Sequence, residues 1–183
     1  LTTNKLYATL LCDNSMHSAI FHSPLHDIEV IVKNEGVTSV KWISPEDSEK
    51  LTRICKLQAK PSQMENIHLN DTSKWFEALW NLKTLPQIPD LSFDDATEFQ
   101  MNVWNELAKT TPGTTITYQQ LAGLAGSKNA SRAVGSAMAA NPITILVPCH
   151  RVIQTNGKLG NYSGYGGDET KKWLLELEAN SAN

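Results

Sequence analysis

At 183 residues and 40% hydrophobic content, the chain is long enough for one ordinary domain or for two small ones joined by a linker. No apolar run is long enough for a transmembrane helix. Three cysteines at long spacings, Cys12, Cys55 and Cys149, make a poor disulfide framework, leave at least one thiol free and fit a reducing compartment. A net charge of −3, taken as one number, speaks against a partner rich in phosphate. Its distribution speaks the other way. Between Leu107 and Gly167 there is no Asp or Glu, while Lys109, Lys128, Arg132, Arg151 and Lys158 stand there, a locally positive stretch suited to an anionic polymer. The start, Leu1-Thr2-Thr3-Asn4-Lys5, lacks the charged flank and apolar core of a leader. The expectation is an intracellular protein without a membrane partner, nuclear if eukaryotic and cytoplasmic if prokaryotic.

In chain order, the first half opens with short β-branched or alternating runs. Tyr7 to Leu11, Ala19 to His22, Ile28 to Val32 and Val37 to Ile43 read as strands, with a turn at Glu35-Gly36. Ser44 is a good N-cap for a helix over Pro45 to Leu57. A second helix is expected over Thr72 to Leu82, with Trp75, Leu79 and Leu82 on one face. Pro86 to Asp95, with two prolines and several acids, reads as a linker. The expected domains are therefore 1–90 and 91–183.

The second half begins with a helix over Thr97 to Lys109, carrying Phe99, Val103, Trp104 and Leu107 and stopped by Pro112-Gly113. Thr117-Tyr118-Gln119-Gln120 is a T-x-x-Q capping box that opens a helix closed by Gly126, and another helix starts near Asn129 and ends at Asn141-Pro142. Two helices joined by so short a turn outline a helix-turn-helix. Periodicity turns Ala130, Ala133, Val134 and Ala137 inward and leaves Ser131, Arg132, Gly135, Ser136 and Ala139 outward. An exposed face of small residues with a single cation suits close approach to a minor groove more than reading of a major groove. The same face is also that of a tightly packed helix.

Ile143 to Val147 has the composition of a buried strand, ended by Pro148 and followed by Cys149, His150 and Arg151. A thiol beside two basic groups in a shielded place is a candidate nucleophile with a lowered pKa. A free cysteine is also a small buried hydrophobe. In an extended segment His150 points away from Cys149 and reaches its proton only through a water. The imidazole then needs a carboxylate, and Glu178 qualifies: a helix over Asp168 to Ala179 puts it one turn beyond Leu174 on the edge of the apolar face. Asn156-Gly157 marks a tight turn after a short strand at Val152-Ile153. The glycine-rich run from Gly160 to Gly167 lacks the strand and helix context of a phosphate cradle. It reads as a lid over a flat ligand, with Tyr162 as an apolar wall, or as an exposed loop. Cys12, His17, His22 and His26 lie close in sequence without a ligand-pair spacing, so neither a metal nor a cofactor is expected.

Pro148-Cys149-His150-Arg151-Val152, preceded by Asn141-Pro142 and followed by Gly160-Asn161-Tyr162-Ser163-Gly164, resembles the O6-alkylguanine-DNA alkyltransferases over about Thr97 to Glu178. The resemblance implies an α/β (α+β) fold, with an RNase H-like N-terminal domain and a mostly helical, winged-helix-like C-terminal domain for DNA binding and alkyl transfer. It implies stoichiometric, irreversible repair of O6-alkylguanine, and to a lesser degree O4-alkylthymine, by a monomer on double-stranded DNA. The target nucleotide would be flipped out. By the same resemblance Cys149 accepts the alkyl group, His150 and Glu178 activate it, and Asn141 braces the turn. Tyr118 crowds the target phosphate and protonates the departing base at N3, and Arg132 fills the vacated stack. Met138, Val152, Tyr162 and Ser163 form the pocket, with main-chain groups of Cys149, Val152 and Ser163 on the guanine edge. Gln119, Ser127, Ser131 and Thr155 lie toward DNA. Lys33 and Thr38 stand at two places where zinc-bearing members have ligands, which again predicts no metal.

Two rival classes differ in chemistry. A Cys-His hydrolase turns over and needs an oxyanion hole and a histidine remote in sequence. A lesion-binding module needs no reactive thiol.

Overall fold

The computed structural model describes residues 7–11, 16–55 and 60–181. The chain forms two compact units, 1–92 and 93–183.

In the first unit β1 (Tyr7–Leu11), β2 (His17–Phe21), β3 (Asp27–Lys33) and β4 (Gly36–Ile43) form one antiparallel sheet in chain order. Alternation along β3 buries Ile28, Val30 and Val32, the period of two that gives a sheet one inward face. Lys33 pairs with Gly36 across the β3–β4 turn. Gly36 has φ +148°, and a Cβ there would lie 2.5 Å from the Asp90 carbonyl, so only glycine suits the position. That closeness has a purpose. The Val37 N–H donates to Asp90 O at 2.8 Å and Ser92 N–H to Val37 O at 2.9 Å, so the end of the proline-rich linker is tied to β4.

Helix α1 (Pro45–Cys55) follows its Ser44 cap, whose Oγ accepts from the Asp47 N–H. Leu57, expected in this helix, and Cys12 lie outside the described residues. Helix α2 (Gln63–Trp80) starts nine residues before the expected Thr72, because Ser62 and Glu65 form a capping box. Trp75 and Leu79 are buried as expected, but Leu82 lies past the helix end, at φ +53° and exposed. Phe76 fills the core instead, packing edge-on to Phe21 at 5.6 Å and stacked on Trp80 at 5.7 Å.

The second unit contains α3 (Glu98–Ala108), β5 (Ile116–Thr117), α4 (Tyr118–Leu124), α5 (Ser131–Ala139), β6 (Val152–Ile153) and α6 (Gly167–Ser181). Thr97 and Gln100 close a capping box on α3, and Thr117 and Gln120 do so on α4. Helix α4 ends in a Schellman motif: Gly126 sits at φ +82°, its N–H donates to Gly123 O and the Ser127 N–H donates to Ala122 O. Helix α5 starts at Ser131, two residues after the expected Asn129, and the connection from α4, 125–130, is longer than the expected turn. Its buried residues are Val134, Ala137 and Met138, whereas Ala133 is exposed. Met138 completes the inward stripe in place of Ala133. Trp104 of α3 seals this layer by donating from Nε1 to Ala137 O at 3.0 Å. Strand β6 pairs parallel with β5.

Ile143 to Val147 is not a strand. It is a tightly turned buried loop with an isolated bridge between Thr144 and Val147, and Ile145 has φ +73°. The run is apolar because it is buried, not because it joins a ladder.

Candidate active site

Asn141 gives that loop its shape. Its side-chain NH2 donates to Val147 O at 2.9 Å and its Oδ1 accepts from the Ile143 N–H at 3.0 Å. A buried loop must satisfy its own backbone groups, and one amide side chain serves both edges. The loop delivers Cys149 into a 3₁₀ turn, Cys149–Arg151, in place of the extended segment expected. Adjacent residues then diverge by about a third of a turn and not by half. Cys149 and His150 are therefore not driven to opposite sides.

His150 is fully buried, and its Nε2 lies 2.9 Å from Oε1 of the equally buried Glu178. Arg151 also turns inward: its Nε donates to Glu178 Oε2 at 2.9 Å, and Nη2 donates to Oε1 at 2.8 Å. The Gly113 N–H adds a bond to Oε2 at 3.2 Å. Burial works against the Glu178 charge, but His150 and Arg151 outweigh it and hold the carboxyl at about 2. An ionised carboxylate accepts, so His150 donates from Nε2 and keeps Nδ1 as an acceptor. Nδ1 is buried without a protein partner. Burial, with Arg151 and Lys171 nearby, pushes the His150 pKa down, so the ring is neutral at rest. Burial pushes the Cys149 thiol up, against the pull of Asn141 and Lys171. The expected lowering of the thiol pKa is not found, because desolvation exceeds the nearby charge.

Cys149 is nearly buried yet opens onto a cavity of about 850 Å³ that Tyr118, Met138, Tyr162 and Ser163 also line. Arg132, Ser131 and Thr155 reach the same cavity. At Gly160, φ is +71° and a Cβ would lie 3.2 Å from the Tyr118 hydroxyl, so glycine there lets the loop close on the tyrosine ring. Burial raises the Tyr118 pKa, and the charge of ionised Cys149 raises it further.

Not every expected residue gathers here. Val152, expected in the pocket, is fully buried and is not part of the lining; Gln119 and Ser127, expected toward DNA, are not part of it either. Gln154 and Asn156, not among the expected site residues, do line it, next to the Asn156-Gly157 turn. Lys171 was also missed. It is fully buried and donates from Nζ to Val152 O at 2.7 Å and to Leu159 O. Its signal was available, since Lys171, Leu174 and Glu178 stand at i, i+3 and i+7 on one stripe of α6. Among the described residues, no group of three or more His, Cys, Asp or Glu could hold a metal ion, and no helix is long and apolar enough to cross a membrane.

A thiol beside an imidazole held on a carboxylate, at a cavity partly walled by a helix of small residues, defines a cysteine-chemistry protein of mixed α/β fold. Residues 98–180 match the family model described as 6-O-methylguanine DNA methyltransferase, DNA binding domain. The chain is 36% identical to the methylated-DNA–protein-cysteine methyltransferase of Cricetulus griseus, over 89% of this chain and 82% of that one. It is 38% identical to that of Methanosarcina acetivorans, over 89% and 98%. The solved O6-methylguanine methyltransferase of Mycobacterium tuberculosis covers 92% of this chain and 95% of its own, with TM-score 0.71 and 29% identity. Mycobacterium tuberculosis OGT in complex with DNA gives the same TM-score and identity, over 88% and 92%. The chain belongs to the methylated-DNA–protein-cysteine methyltransferase family.

Proposed function

We propose that this protein repairs O6-alkylguanine in DNA by moving the alkyl group onto Cys149, once per molecule and irreversibly, with O4-alkylthymine a poorer substrate. The observation that carries this reading is the placement of the free cysteine Cys149 on the cavity wall, next to the buried His150–Glu178 pair at 2.9 Å.

The thiol proton passes through a water to His150 Nδ1, whose charged form Glu178 stabilises. The sulfur attacks the alkyl carbon, an S–C bond forms, the C–O6 bond breaks, and its electron pair goes to the purine. Tyr118 supplies a proton at N3 of the leaving base, and the proton held at His150 restores the tyrosine. The net change is thiol plus alkyl ether to thioether plus guanine, so atoms and charge balance. A thioether cannot be displaced by water under these conditions, which makes the protein a single-use acceptor.

DNA enters the reading through the exposed small-residue face of α5. Close approach there lets Arg132 take the place of a flipped nucleotide, while Met138, Tyr162 and Ser163 enclose the base. Main-chain groups at Cys149, Val152 and Ser163 read its edge, Asn141 keeps the turn rigid, and Gln119, Ser127, Ser131 and Thr155 contact the backbone. Residues 91–183 are assigned as the winged-helix-like domain for DNA binding and transfer, and 1–90 as an RNase H-like domain. The protein acts as a monomer on the duplex, inside the cell and away from membranes, with no metal or cofactor.

The test is a duplex carrying labelled O6-methylguanine, followed by label and mass. One label per molecule is expected on Cys149, and none on Cys149→Ala. Continuous release of label, or tight binding without transfer, would overturn the proposal.

A further inference from the structure

The charges around Cys149 balance in only one way. On its own turn stand His150 and Arg151; Lys171 and Glu178 come from α6, with exposed Asp168 one turn before Lys171; Tyr118 of α4 and Arg132 of α5 share its cavity. Arg151 and Glu178 cancel through their two short bonds. His150 is neutral at rest. That leaves the Lys171 ammonium, fully buried, with two carbonyl oxygens and no carboxylate bonded to it. A buried cation held only by dipoles is costly unless an anion lies near. The Cys149 sulfur can become that anion: Lys171 grips the end of its 3₁₀ turn by bonding Val152 O, and the ionised sulfur attracts the ammonium, as exposed Asp168 does more weakly.

We propose that Lys171 is the counter-ion of the Cys149 thiolate and the positioning residue that ties the thiol's turn to the cavity loop. The inner cluster carries one excess positive charge while the sulfur is protonated and is neutral once it ionises. Burial of the thiol opposes ionisation, and Lys171 opposes burial. Its second bond, to Leu159 O, holds the residue just before Gly160, where the loop closes on Tyr118. One side chain thus acts on the charge of the sulfur and on the position of the wall facing it. This assignment rests on Cys149 being the reactive thiol.

A structural role alone needs a donor; the counter-ion role needs a charge. Lys171→Gln keeps a donor without the charge, Lys171→Met removes both and Lys171→Arg keeps the charge. Each full-length variant is treated with iodoacetamide across neutral to alkaline pH, and modification of Cys149 is followed by peptide mass. In the Gln and Met variants the midpoint of the pH–rate curve is expected to rise by roughly one unit or more, while Arg stays near the parent. A uniform loss of rate with an unmoved midpoint overturns the proposal.

A second measurement needs no change at Lys171. The side-chain carbon resonance of Lys171 is titrated in the parent and in Cys149→Ser. The lysine pKa is expected to fall in the serine variant, and equal values overturn the proposal. Neither experiment uses DNA or alkylguanine, so a failure of alkyl transfer and a failure of this assignment are read separately.

Discussion

Glu178 accepts from three residues at once, and its two roles separate on titration. Its carboxyl is lowered from 4.5 to about 2, so the folded state favours the ionised form. A depressed carboxyl contributes stability that is fully present above the unfolded value and is lost as pH falls through 4.5 toward 2. The contribution is on the order of 3 kcal/mol. Glu178→Gln is expected to cost about 3 kcal/mol at neutral pH by leaving Arg151 buried without its anion. It should also flatten the acid limb of the stability curve. Urea unfolding at several pH values checks both, and an acid limb as steep as the parent's would contradict the assignment. Arg132 belongs to the same scale but to a different event. It is exposed at the cavity, so Arg132→Ala is expected to slow repair in duplex DNA by tenfold or more, on the order of 1.4 kcal/mol. Reaction with free O6-benzylguanine should barely change. Equal losses on both substrates would remove the stack-filling role.

Helix α5 combines a weakness of its own with an advantage for a partner. Gly135 lies on it with nothing within 4 Å of where a Cβ would be, and glycine inside a helix costs about 0.8–1.0 kcal/mol relative to alanine. Gly135→Ala is expected to raise stability by up to about 1 kcal/mol in chemical denaturation. It should weaken duplex binding, because the added methyl stands on the face offered to DNA. Gains in both would show that the bare face is packing economy alone. The ends of α4 are legible in the amino-acid sequence, since Thr117 with Gln120 and Gly126 act through atoms a few residues away. The inward stripe of α5 is less legible. Periodicity locates Val134 and Ala137, but that Met138 and not Ala133 completes the stripe follows from what the helix packs against.

At the scale of the molecule, five basic residues and no acid between Leu107 and Gly167 suggest a strongly positive surface. The fold reduces that number. Arg151 points inward to Glu178, and Lys109, although exposed, is paired with Glu106 at 2.5 Å, which leaves Lys128, Arg132 and Lys158 as the exposed cations of the stretch not paired with a carboxylate. Each phosphate neutralised contributes about −0.9 to the slope of log affinity against log salt concentration. Duplex binding is therefore expected to show a slope of roughly −3, measured by fluorescence anisotropy in a salt series. A slope near −5 would mean that Arg151 and Lys109 also reach phosphate.

Short-range forces made legible in the amino-acid sequence the sheet strands, the capped starts of α1, α3 and α4, the glycine stop of α4, the adjacency of Cys149 and His150, and the stripe that carries Glu178. The sequence also carried the Pro148–Val152 motif, which pointed to the family. Long-range packing settled that Ile143 to Val147 turns instead of pairing, that Arg151 faces inward, and that Lys171 is buried with its ammonium on Val152 O. Those outcomes depend on partners far along the chain, such as Glu178 for His150 at a separation of 28 residues. A local pattern shows which side chains lie together on one face. The charge that each one meets there, and hence the state of the Cys149 sulfur, follows from how the elements pack.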